Sequence, residues 1–172
     1  MDASIVAGAG SLDRNRLRAR WRIDLGGSAP GGRRSNGRAV LDGHMRGLMA
    51  PRPTDMNSSE RHMVKPWFNG RIPQAPRVID LAPEGFPLIG ARVDVIDNTP
   101  VPTLVYGRRL HIISLSAIPD EGRGDGAAAR RSINGYNVLS WRENGVSYWA
   151  VSDLGVGELE TFAQLFRKAP TG

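Results

Sequence analysis

The sequence predicts an α+β domain: an antiparallel sheet of about five strands, a meander plus a hairpin, flanked by an N-terminal and a C-terminal helix. Three observations predict it. Residues 87 to 118 alternate apolar and polar side chains between turn signals. Asn144-Gly145 lies between two aromatic-rich runs, the pattern of a tight type I′ hairpin. Helix-period apolar stripes stand only at the two ends, with no βαβ alternation between them. At 172 residues the chain suits one core rather than two.

Taken in order, residues 1–38 form an arm and linker, and residues 39–172 the domain. The arm carries eight arginines against Asp2, Asp13 and Asp24, and it ends in a Gly/Ser/Pro/Arg linker. It is expected to be disordered, because such a composition buries too little apolar surface to offset the entropy of ordering. From Asn36 a helix begins, with Leu41, Met45, Leu48 and Met49 as its core stripe and Pro51 and Pro53 as its stop. In "MVKPWFNG", Pro66 favours an extended Lys65, and Asn69-Gly70 fits a turn that holds Trp67 and Phe68 just before a bend.

The meander follows. In "GARVDVID" the apolar Ala91, Val93 and Val95 alternate with Arg92 and Asp94, "DNTP" is a turn, and "VPTLVYG" and "RLHIISLSAI" are strands joined near Gly107. "PDEGRGDGAAARRS" is a polar loop before the hairpin. The closing helix presents Leu159, Phe162, Ala163 and Phe166 on one face, with Glu158 in its first turn.

The absence of cysteine excludes disulfides, thiolate zinc sites and cysteine nucleophiles. No apolar run reaches the length of a membrane span, and the N-terminus lacks the basic start and apolar core of a signal peptide, so the chain as written is expected in the cytoplasm. The net charge of +6 belongs almost wholly to the arm. Arg16, Arg18, Arg20 and Arg22 around Trp21 could meet nucleic acid or an anionic membrane, although a single aromatic makes a poor stacking platform and nucleic acid is the less expected partner.

The blocks "HMRGLM", "SSERHMVKPWFNGRI", "VIDLAPEGFPLIGARVDVID", "YGRRLHIISL", "GYNVLSW" and "YWAVSDLGVGELETFAQL" together resemble the C-terminal, extracytoplasmic part of a family of bacterial transmembrane anti-sigma factors. The resemblance covers residues 39 to about 167. It implies a non-enzymatic regulator of transcription whose outer domain senses a signal or is read by a protein partner, and whose cytoplasmic part sequesters a sigma factor. It also implies membrane association, with this domain periplasmic. Complete members place a helical anti-sigma domain, often with a His-x3-Cys-x2-Cys zinc motif, and a spanning helix before the matching region; here the arginine-rich arm stands there. A truncated gene, a misassigned start and a stand-alone sensor module remain the alternatives.

Candidate sites are few, and no cofactor is expected. His44 and His62, with methionines nearby, are the conceivable metal ligands, but neither i, i+3 nor i, i+4 spacing supports them, and hydrogen-bonding histidines are the plainer reading. Ser114 or Ser152, His111 and Asp153 make a catalytic triad on paper without the frame of a nucleophile elbow. "GRGDG" lacks a P-loop lysine, and the carboxylates Asp94, Asp97, Asp120, Glu121 and Asp125 fall at turns or in the polar loop. Lys65, Trp67, Phe68 and Arg71 are the candidate partner-binding residues. Lys65, one of two lysines in the chain, could lie over an aromatic ring as a structural post or face a partner.

Overall fold

The computed structural model describes residues 30–170. Arg16, Arg18, Arg20, Trp21 and Arg22, and the arm before Pro30 that is expected to be disordered, lie outside the described residues. One antiparallel sheet of seven strands, in the order β1-β2-β3-β4-β7-β6-β5, carries helix α1 on one face and α3 on the other. The broad expectation therefore holds, with two strands more than predicted.

Helix α1 spans Pro30–Met49, so it starts six residues before the expected Asn36. Proline at a first helical position has the φ that a helix needs and lacks an N–H that would go unpaired there. Its buried face is also not the one expected. Leu41 is buried, but Leu48 and Met49 are exposed, and the face against the sheet is Gly37, Val40, Gly43, His44 and Gly47. The reason is what lies beneath, described below.

After the two-residue strand β1 (Met56–Asn57) comes the short helix α2 (Arg61–Trp67). Lys65 is thus helical rather than extended. Pro66 sits near the helix end, and the spacing of Val64 and Phe68, four residues apart and both fully buried, keeps the turn helical against the proline's preference. The expected turn follows, closed by Arg71 N–H donating to the Phe68 carbonyl at 3.0 Å, with Gly70 at φ 79°.

Strands β2 (Leu88–Ile96), β3 (Thr99–Arg108) and β4 (His111–Pro119) are the meander. Asp97 and Asn98, both at positive φ, turn β2 into β3 as the sequence suggested. The second turn is at Arg109-Leu110, not at Gly107, which lies inside β3 against Ile89. The stretch expected as a polar loop contains β5 (Gly126–Ile133), which pairs with β6 (Tyr136–Glu143) through Asn134-Gly135. Asn144-Gly145 then turns β6 into β7 (Val146–Ser152), which lies against β4.

Because side chains alternate along a strand, the two faces collect different partners. Leu104, Tyr106, Ile113, Leu115, Trp141, Tyr148 and Ala150 join Val64 and Phe68 of α2 and Leu159, Phe162, Ala163 and Phe166 of α3 (Val156–Lys168) in the larger core. Val101, Val138, Trp149 and Val151 meet Val40 and Leu41 of α1 in a smaller one. The four residues expected to face inward from the closing helix are all buried there.

Candidate functional site

The smaller core is incomplete without a polar cluster. In β2, Arg92 and Asp94 point to the α1 side, and they are only 6% and 8% exposed. The sequence alternation suggested that the valines of β2 would be inside and these charges outside; instead both faces of the sheet are covered, and Val95 is the exposed residue. Register places Arg92 opposite Thr103, and Thr103 opposite Ser116, so the strands build a polar row beneath the helix.

Every charge in this row is met. Arg92 Nε lies 3.1 and 3.0 Å from the two Asp94 oxygens, while Nη1 donates to the Pro53 carbonyl and Nη2 to the Gly43 carbonyl and the Ser114 hydroxyl. Thr103 donates to Asp94 Oδ2 at 2.8 Å and shares a hydrogen bond with Ser116 at 2.9 Å. His44 Nδ1 and Ser114 Oγ are 2.8 Å apart. Thus the His44 side chain and the Gly43 carbonyl of α1, with Arg46 4.0 Å from Asp94, join the charged pair of β2 and hydroxyls on β3 and β4. Burying an ion pair costs desolvation that the added hydrogen bonds offset only when all are made.

The helix comes close enough because it offers glycine. A Cβ at Gly43 would lie 3.1 Å from Asp94 Cγ, and one at Gly47 would lie 2.9 Å from Arg92 Nη1. Neither leucine nor methionine fits this position, which is why the Leu48/Met49 stripe is turned away.

His44 is 1% exposed, and burial, then the Arg92 guanidinium, lowers its pKa from 6.5 to about 4, against the opposing pull of Asp153 and Asp94. It is therefore neutral near pH 7. Its ring stands edge-on to Tyr136 at 5.3 Å, and Nε2 has no hydrogen-bond partner among the described residues.

The other candidates are dispersed. His62 is exposed on α2 beside Glu60, at 3.1 Å, so the two proposed metal ligands are not brought together. Among the described residues, no group of three or more His, Cys, Asp or Glu side chains could hold a metal ion. His111 Nδ1 lies 3.0 Å from Asp153, but the Ser152 hydroxyl donates to the Ile112 carbonyl and Ser114 is bonded to His44, so the paper triad is not assembled. Among the described residues no helix is long and apolar enough to cross a membrane.

The "VKPWFNG" corner divides. Phe68 is core, with Trp67 edge-on to it at 5.0 Å and only half-buried. The cation over Trp67 is Arg71, 4.6 Å from the ring centroid and donating to the Trp67 carbonyl at 2.6 Å; Lys65 is exposed and makes no such contact. Arginine wins because its planar group stacks on the indole while its N–H bonds the carbonyl, which an ammonium does less well. Lys65, Trp67 and Arg71 remain a surface, and Phe68 leaves the candidate set.

Arg92, Asp94, Thr103 and Ser116 were not singled out as site residues by their sequence pattern. The available signal was a charged alternation in β2 combined with Gly43-His44 and Gly47 on one helix face. No protein-family model, curated protein or solved structure matches this chain.

Proposed function

We propose that residues 39–172 act as a regulatory and sensory domain similar to the extracytoplasmic part of an anti-sigma factor, controlling sigma-factor-dependent transcription through protein interaction and without catalysis. The carrying observation is the way α1 rests on the sheet. A helix that leads directly from the N-terminal segment is held by Arg92, Asp94, Ser114 and His44 rather than by a broad apolar stripe. Such a contact has two well-defined arrangements, made or broken, which is what a domain needs in order to pass a signal along its chain.

The exposed Lys65 and Arg71, with the half-buried Trp67 between them, offer a partner surface on the other side of the sheet. A second reading rests on the alternate arginines of residues 14 to 22, which suit nucleic acid or an anionic membrane. One experiment separates the two. The full chain is titrated calorimetrically with the extracytoplasmic-function sigma factors of its own source, with duplex DNA and with anionic vesicles, at low and high salt. Saturable binding of one sigma factor that survives Arg16, Arg18, Arg20 and Arg22→Gln supports the regulatory reading. Binding of DNA or vesicles alone, lost in that variant and falling steeply with salt, supports the second.

A further inference from the structure

On the α3 side of the sheet, away from α1, a cavity of about 230 Å3 opens between the segment 72–77 and the ends of β3, β4 and β7. Its walls are apolar and stiff: Pro73, Pro76, Pro100, Pro102 and Pro119 all line it. Proline fixes its own φ, so this shape exists before any ligand arrives and little ordering is needed to bind one. The volume is below the roughly 300–1,000 Å3 of sites for drug-sized molecules, which points to a smaller guest.

Four polar side chains interrupt the walls: Gln74, Arg77, Asn144 and Tyr148. The Tyr148 ring is fixed, stacked on Trp141 with centroids 5.4 Å apart and edge-on to Phe166. Its hydroxyl has no hydrogen-bond partner among the described residues, although the residue is only 5% exposed. The comparable buried Tyr106 hydroxyl donates to the Ile79 carbonyl at 2.8 Å. The Tyr148 hydroxyl is not among the buried atoms left without a partner, so it reaches the solvent of the cavity, where a ligand that accepts its proton can take the place of water. Burial raises the Tyr148 pKa, so the group is a donor at neutral pH.

Charge selects the acceptor. Arg77 lies 3.3 Å from Glu143, and Arg167 approaches the same carboxylate at 3.9 Å, so two guanidinium groups share one negative charge. The surplus is positive, beside a phenolic donor, at the end of an apolar cavity.

We propose that this cavity binds a small monocarboxylate with an apolar body, aromatic or short-chain, its carboxylate accepting from Tyr148 in the field of Arg77. The assignment is independent of the regulatory reading and stands or falls separately from it. The test uses the full chain, with benzoate and hexanoate as probes and benzamide and hexanamide as uncharged counterparts, followed by calorimetry and by backbone amide shifts in NMR. The acids bind, shifting amides of residues 72–77 and 144–148. Tyr148→Phe keeps the ring and weakens them about tenfold, the worth of one hydrogen bond to a charged group. Ala75→Phe, which fills the cavity from a loop position, abolishes binding while thermal melts verify folding. No binding at millimolar probe, binding unchanged in both variants, or amides that bind as well as acids would each overturn the proposal.

Discussion

Among single residues, Ser114 and Arg92 hold the most consequence. Ser114→Ala removes a hydroxyl that serves both His44 and Arg92, leaving two buried groups short of a partner. The expected cost is about 1–3 kcal/mol in denaturant unfolding. Arg92→Met is harsher, about 3–5 kcal/mol, because the buried Asp94 loses its close cation and keeps only the largely exposed Arg46 at 4.0 Å. His44 makes stability depend on pH. Its folded pKa, about 4, lies below the unfolded value of 6.5, so between those values the unfolded chain binds the extra proton. The stability contributed by the neutral ring is complete above pH 6.5 and is lost as pH falls towards 4, about 2 kcal/mol of it between pH 7 and pH 5. Unfolding curves at the two pH values check this, and His44→Gln, which cannot take up that proton, flattens the dependence.

Among elements, the helices differ in what commits them to the sheet. Helix α3 is amphipathic in the ordinary sense, and its four buried residues are legible in the sequence because helical spacing alone selects them. Helix α1 is not, since its buried face depends on a strand some fifty residues away, and local periodicity carries no trace of that partner. Gly43→Ala and Gly47→Ala make the distinction measurable. On propensity alone each would gain up to about 1 kcal/mol. Here each is expected to destabilise, because the added methyl meets Asp94 or an Arg92 group already pinned to the Pro53 carbonyl. A rise in melting temperature in both variants would refute the close approach. At the α2 corner, Phe68→Ala should cost about 3–5 kcal/mol and Trp67→Ala clearly less, since only Phe68 is fully enclosed. The turns at Asp97-Asn98 and Asn144-Gly145 are legible because positive φ is a local demand met by local residues. Strand β5 is not, although Asn134-Gly135 announces its hairpin, because an edge strand exposed on both faces shows no apolar alternation.

The whole molecule is a sheet with two unequal faces, and the inequality sets how it opens. The α3 face holds the larger core, rich in aromatic contacts among Tyr106, Trp141, Tyr148, Phe162 and Phe166. The α1 face has fewer apolar residues, a helix containing Gly31, Gly32, Gly37, Gly43 and Gly47, and a polar cluster whose hydrogen bonds must all form together. Local opening follows the weaker packing. Amides of α1 from Val40 to Gly47 should therefore exchange through an opening of lower free energy than those of β3, β4, β7 and α3, which should share the free energy of global unfolding. The pH dependence of His44 belongs to the same event, because lifting α1 returns the ring to water and restores its ordinary affinity for a proton. Native-state hydrogen exchange at pH 7 and pH 5, corrected for intrinsic rates, tests both parts. The α1 opening free energy should fall on acidification more than can be accounted for by any change in the α3 group, and His44→Gln should remove the difference. Equal protection of α1 and α3 at both pH values would mean that the two faces open as one unit, and the helix could not then be released without unfolding the sheet that holds it.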